Sequence, residues 1–182
     1  MSTQKRVQQE FGTVHESDAL RLDEEKAEQV IDALNTELAD TYVLYHQLKK
    51  HHWNVEGAEF RDLHLFLGDA AGNAEEAADE LAERAQALGG TPVAGLEAMQ
   101  DHATVEPEDD DVYGIRDSLE ADMEIYGDII ETMRDHIELV ENLGDHATGQ
   151  ILREILVQVE EDAHHIEHYL EEDSLVLEES VN

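Results

Sequence analysis

The chain has 182 residues, with 46 Asp and Glu against 11 Lys and Arg, for a formal net charge of -35. The length suits one domain with a real core, and a hydrophobic content of 41% separates it from disordered acidic chains. The charge excludes easy contact with bare phosphate backbones and suits a surface kept hydrated in strong salt, as in a halophile, while the absence of cysteine excludes disulfides and thiolate metal sites.

Residues 1–22 are polar and read as a flexible N-terminal tail. Helix A is expected from Glu24 to Trp53 with Asp23 as its N-cap, and its apolar stripe runs Ala27, Val30, Ile31, Leu34, Leu38, Tyr45, Leu48. Helix B is expected from Glu59 to Leu88 on Leu63, Leu67, Ala70, Ala74, Ala77, Leu81 and Leu88. Gly89-Gly90-Thr91-Pro92 stops it. A long connection follows from Thr91 to Asp111, holding one short helix near Leu96 to His102. Helix C is expected from Val112 to Leu143, inward on Val112, Ile115, Leu119, Met123, Tyr126, Ile130, Met133, Ile137 and Val140, and Gly144 ends it. Helix D is expected from Ala147 to Leu170 on Leu152, Ile155, Leu156, Val159, Ala163, Ile166 and Leu170. Residues 172–182 read as an acidic C-terminal tail.

Pro92 and Pro107 both fall in the central connection, leaving two long proline-free blocks. Two long helices, one long crossover and two more long helices define an all-α, ferritin-like four-helix bundle over residues 23–171. No apolar run reaches membrane-span length and Met1 to Glu10 holds no signal-peptide core, so a cytoplasmic protein with no membrane partner is expected.

Bundles of this kind often hold two irons internally on Glu and Glu-x-x-His motifs. Helix D offers Glu161 and His164 at that spacing, but the residue three before His64 on helix B is Arg61. An internal paired-iron site is not expected. Another set stands out instead. His52 continues the stripe of helix A, His64 opens helix B, and Asp79 and Glu83 share one face of helix B. Imidazole with carboxylates and no sulfur suits non-haem iron. Fifteen residues of straight helix span roughly 22 Å, so His64 and Asp79 of one chain cannot share an ion.

Asp79 and Glu83 point away from the core, as do Gly68 and Gly72. A helix-interior glycine costs roughly 1 kcal/mol against alanine, and two on one outer face suggest that another backbone comes close there. An antiparallel copy of helix B would bring His64 of one chain beside Asp79 and Glu83 of the other, twice by symmetry. Taken singly, an Asp–Glu pair in so acidic a chain is usually a solvated face, and a lone histidine is usually packed. The ordered placement on one side of one helix favours the metal reading.

The run His52-Trp53-Asn54-Val55-Glu56-Gly57, with Phe60, Leu63-His64, Asp79, Ala82-Glu83-Arg84, Leu88-Gly89-Gly90 and Pro92, resembles the Dps family of ferritin-like proteins. The resemblance covers about residues 24–170. It implies a hollow shell of twelve subunits with ferroxidase sites at two-fold interfaces, where His52, His64, Asp79 and Glu83 match ligand positions. Iron is then the metal, hydrogen peroxide the oxidant, and dioxygen a slower alternative.

The chain departs from the family pattern at Gly68, where an Asp is common, and at Gln150, where a pore-lining Asp is usual. Asp145 matches one remaining pore position and Glu154 is a conservative match to another. Glu75 is a candidate for mineral nucleation on an inner wall. His164 and His168, four apart on helix D, either hold iron in transit or form a solvated face. The family's DNA-binding members often carry a Lys-rich tail. This N-terminus has only Lys5 and Arg6 before Arg21, so direct DNA binding is not expected. The function expected is oxidation of Fe(II) and storage of the ferric product, protecting the cell against oxidative damage. A nucleoid-associated DNA-shielding protein and a non-redox divalent-cation buffer are the rivals.

Overall fold

The computed structural model describes residues 6–171. Five helices follow in order: α1 (Glu24–Asn54), α2 (Phe60–Ala87), α3 (Leu96–His102), α4 (Ile115–Leu143) and α5 (His146–Leu170), with no strand among the described residues. Helix α1 packs along α2, and α4 packs along α5. Contacts of α1 with α4 and of α2 with α5 close these hairpins into a four-helix bundle, and α3 lies in the crossover against α1. None of the described helices is long and apolar enough to cross a membrane.

The apolar stripes meet inside the bundle. Leu34, Leu38 and Leu48 of α1, Leu63, Leu67 and Leu81 of α2, Tyr126, Ile129 and Met133 of α4, and Leu152 and Ile166 of α5 are all fully buried. Each such large side chain contributes roughly 1.5–3 kcal/mol on leaving water. Small residues Ala70, Ala71, Ala74, Ala78 and Ala85 keep α2 close to its neighbours.

The helix ends explain the boundaries. At the end of α2, Gly89 N–H bonds to the Gln86 carbonyl and Gly90 N–H to the Ala85 carbonyl. At the end of α4, Gly144 N–H bonds to Glu141 and Asp145 N–H to Val140. Both are the paired closure that a left-handed glycine permits, with φ of +93° at Gly89 and +87° at Gly144. Asp23 caps α1 without a side-chain bond; its carboxylate lies 3.9 Å from Lys26 instead.

Two expectations need correction. Helix α4 begins at Ile115, not Val112, and Val112 is 63% exposed. Gly114 is extended at the N-cap, and the Tyr113 hydroxyl donates to the Asp109 carboxylate at 2.8 and 2.9 Å, holding this stretch as loop. The segment ahead of α1 is not a free tail over its described part. Val14 is buried in the core cluster, His15 N–H bonds to the Gly89 carbonyl at 3.0 Å, and the Gln9 amide reaches the same oxygen at 2.9 Å. A side chain at Gly89 would collide with the His15 carbonyl oxygen, so the glycine both closes α2 and admits this strap. Residues 1–5 and the acidic end 172–182 lie outside the described residues.

Candidate metal centre

His52 sits in the last turn of α1 and His64 in the second turn of α2, facing each other across the α1–α2 turn. Their rings stack with centroids 3.8 Å apart and 17° between planes. His52 Nδ1 donates to the His64 backbone carbonyl at 2.6 Å, and His64 Nδ1 donates to the His52 carbonyl at 2.8 Å. A carbonyl only accepts, so each Nδ1 must carry the hydrogen. Each neutral ring is thereby left with a bare Nε2 lone pair, the form that ligates a metal. Phe60 covers the far side of His64, its ring 5.1 Å away and stacked.

Gly68 makes room for this pair. A Cβ there would lie 3.0 Å from His52 Cε1 and 3.1 Å from its Nδ1, closer than side chains normally approach. Gly72, one turn on, has nothing within 4 Å and opens onto the outside of the bundle. Trp53 beside the pair is 68% exposed, with the Lys49 ammonium 5.9 Å from its ring.

Asp79 and Glu83 are exposed further along the unbroken helix α2. The fifteen residues from His64 span roughly 22 Å, so the two pairs are not brought together within one chain. Among the described residues, no group of three or more His, Asp or Glu side chains gathers in a metal-binding cluster. A centre using all four expected ligands needs a second chain.

The other expected residues are placed as follows. Glu75 is exposed on α2. Glu154 is exposed on α5 and accepts from the Gln150 amide at 2.8 Å. His164 and His168 do come together, with Nε2 atoms 3.1 Å apart, while their Nδ1 atoms face Glu167 at 3.2 Å and Glu171 at 3.4 Å. Asp145 is buried and caps α5 by accepting from Thr148 N–H. Arg84 donates to both of its oxygens at 2.8 and 3.0 Å and to the Thr148 hydroxyl at 2.7 Å. Burial pushes the Asp145 carboxyl up, but Thr148 and Arg84 outweigh it and hold the group below the usual range.

The sequence did not single out the buried polar network beside the histidine pair. His51 turns inward, with Nδ1 2.8 Å from Asp122 and Nε2 2.9 Å from Glu108. Gln47 donates to Asp122 at 3.0 Å and accepts from Glu108 N–H at 2.8 Å, and Lys50 pairs with Glu108 at 2.6 Å. Burial pushes His51 down, but Asp122 and Glu108 prevail and raise it above its usual value. The network fastens the crossover to α1 and α4 directly behind His52. A second buried pair joins Glu37 of α1 to His136 Nδ1 of α4 at 2.6 Å, and burial raises the Glu37 carboxyl. Adjacent histidines on a helix point about 100° apart, so His51 inward and His52 outward was available as a signal.

The ferritin-like domain family matches residues 31–176. A DNA protection during starvation protein of Halobacterium salinarum is 68% identical over 176 residues, covering 97% of each chain. A nutrient stress-induced DNA-binding protein of Nostoc is 36% identical over 97% of this chain and 96% of its own length. The crystal structure of an archaeal Dps homologue from Halobacterium salinarum superposes with a TM-score of 0.94 at 66% identity, covering 99% of this chain and 100% of that one. DpsC from Streptomyces coelicolor superposes with a TM-score of 0.91 at 33% identity, covering 94% and 100%. With its bundle, its crossover and its stacked histidines between α1 and α2, the chain belongs to the Dps family of ferritin-like proteins.

Proposed function

We propose that the chain is a ferroxidase and iron store whose oxidation sites are divided between two subunits. His52 and His64 come from one chain, and Asp79 and Glu83 from a partner whose α2 runs antiparallel across Gly72. The observation that carries this reading is the mutual Nδ1-to-carbonyl bonding of His52 and His64. It presents two nitrogen lone pairs on rings that need no reorganisation to take a metal. The exposed carboxylates supply oxygen ligands that favour ferric over ferrous iron.

Fe(II) is drawn toward a strongly negative assembly by the summed field of its carboxylates. Two ferrous ions each give up one electron. One hydrogen peroxide takes both electrons with two protons and leaves as two waters, so no hydroxyl radical is released. Dioxygen serves as a slower oxidant. The ferric product hydrolyses and nucleates on inner carboxylates such as Glu75, within a shell of twelve subunits in the cytoplasm. His164, His168 and Glu154 lie on routes for iron through that shell, whereas Asp145 is engaged by Arg84 and Thr148 and serves the start of α5 instead.

The double substitution of Asp79 and Glu83 to Ala tests this. Rapid ferric absorbance after Fe(II) and peroxide addition should be lost while the assembly keeps its size in light scattering. Unchanged oxidation kinetics in an intact assembly would reject the divided site. The relatives' names favour a second reading, protection by direct DNA binding. A formal charge of -35 opposes it. Gel-shift across a salt series separates the two, since functional binding must survive at the cell's own ionic strength.

A further inference from the structure

A second polar site lies inside the bundle, remote from the His52–His64 pair. A cavity of about 190 Å³ opens between α2 and α5 and reaches α4 at its floor. The Tyr126 side chain is buried at 1% exposure, lines this cavity, and its hydroxyl has no hydrogen-bond partner. A buried hydroxyl without a partner is costly, and such an atom signals something the protein alone does not supply.

The Asp162 carboxylate, 6% exposed, lines the same space. It accepts from the Asn73 amide at 3.0 and 3.3 Å and from the Gln158 amide at 3.2 Å. These are neutral donors; among the described residues Asp162 pairs with no Lys or Arg. Each carboxylate oxygen has two lone pairs; Oδ1 accepts from both amides and Oδ2 from Asn73 alone, so capacity remains on Oδ2. Glu76, Glu80 and Glu154 stand exposed at the margin, and no Lys, Arg or His of the described residues lines the cavity. The lining thus holds one buried and three exposed carboxylates and no base of its own; His165 acts on Asp162 from outside it. A buried charge in that position is normally paired or metal-bound.

We propose that this cavity binds one hard divalent cation of the Mg²⁺ or Mn²⁺ class, held by the Asp162 carboxylate and the Tyr126 hydroxyl oxygen. Waters fill the other coordination positions. The donor set is oxygen alone, as such ions require, and Mg²⁺ keeps several of its waters when one or two carboxylates hold it. The space accommodates several waters beside the ion. The two ligands come from two helices, so the ion ties α5 to α4, with Asn73 of α2 steadying the Asp162 carboxylate. It is independent of the divided oxidation site, because neither His52, His64, Asp79 nor Glu83 lines the cavity.

The test is a crystal of the assembled full chain soaked in Mn²⁺ alone, with anomalous diffraction recorded at the manganese edge. A peak about 2.0–2.6 Å from Asp162 and close to Tyr126 is expected. In solution, manganese titration followed by electron paramagnetic resonance should show one tight ion per chain lost in Asp162→Asn. Its affinity should fall about tenfold in Tyr126→Phe, a variant that keeps the ring's packing. Water alone between Tyr126 and Asp162 in the soaked crystal overturns the proposal. So does a tight manganese count that neither substitution changes. If Asp162→Asn fails to fold, the crystal and Tyr126→Phe still decide.

Discussion

Replacing Gly68 with Ala should separate stability from oxidation. The new methyl carbon would stand 3.0 Å from His52 Cε1 and 3.1 Å from Nδ1, so the imidazole must yield by a few tenths of an ångström. His52 is held at 2.6 Å to the His64 carbonyl and stacked 3.8 Å from its ring, so that movement strains one of the two locking bonds. A hydrogen bond of this kind contributes about 0.5–1.5 kcal/mol, which corresponds to roughly 2- to 12-fold weaker ligation. The helix itself gains, because Ala exceeds Gly by up to about 1 kcal/mol in a helix interior. The expected outcome is slower ferric absorbance in stopped flow at limiting Fe(II), with a thermal midpoint unchanged or higher. Wild-type oxidation rates in a fully assembled Gly68→Ala protein would refute the claim that this glycine sets the histidine geometry.

Arg84→Met should destabilise the subunit by about 2–3 kcal/mol in urea unfolding, somewhat below the usual cost of orphaning a buried carboxylate because Thr148 still serves Asp145. Adding Asp145→Asn should recover part of that loss, since Asn also caps helices. His51, raised by Asp122 and Glu108, contributes stability in full below its unfolded value near 6.5, and that contribution fades as pH rises through the higher folded value. Resistance of wild type to unfolding should therefore decline as pH rises above about 6.5, and His51→Asn should remove most of that slope. Gly89→Ala places a side chain at φ +93° and against His15, costing about 1–3 kcal/mol. Limited proteolysis should then cut the 9–22 strap faster while leaving α1 intact.

Much of the bundle was legible because apolar residues recur at three and four over many turns, and because glycine stops α2 and α4 where the pattern lapses. Val112 misled because it continues the apolar period of α4; only Gly114 and the Tyr113–Asp109 contact, which span no period, hold it out of the helix. The strap was missed for a related reason. Val14 is a single apolar residue among polar ones, and its burial depends on a receptor at Gly89 far along the chain.

At the metal centre, His52 and His64 could be read as lying where the end of α1 meets the start of α2, but His52 does not continue the apolar stripe: His51 is the buried neighbour and His52 turns outward to His64. The tautomers of that pair could not be read, since these depend on where two backbone carbonyls point. The buried carboxylates Glu37, Asp122 and Asp162 look like any other of the 46 acidic residues until burial distinguishes them, and Asp145, expected at a pore, caps α5 instead. Gly68 was noticed as a departure from the family pattern, but its use, space for an imidazole, required coordinates.

The two imidazoles are fixed by main-chain oxygens rather than by neighbouring acids. No single amino-acid replacement at a supporting position can delete those acceptors, and they do not titrate anywhere in the biological range. The centre's nitrogen half is therefore insulated from drift in the acidic surface around it: such a chain can accumulate aspartates and glutamates without rewiring how its iron-facing rings are oriented.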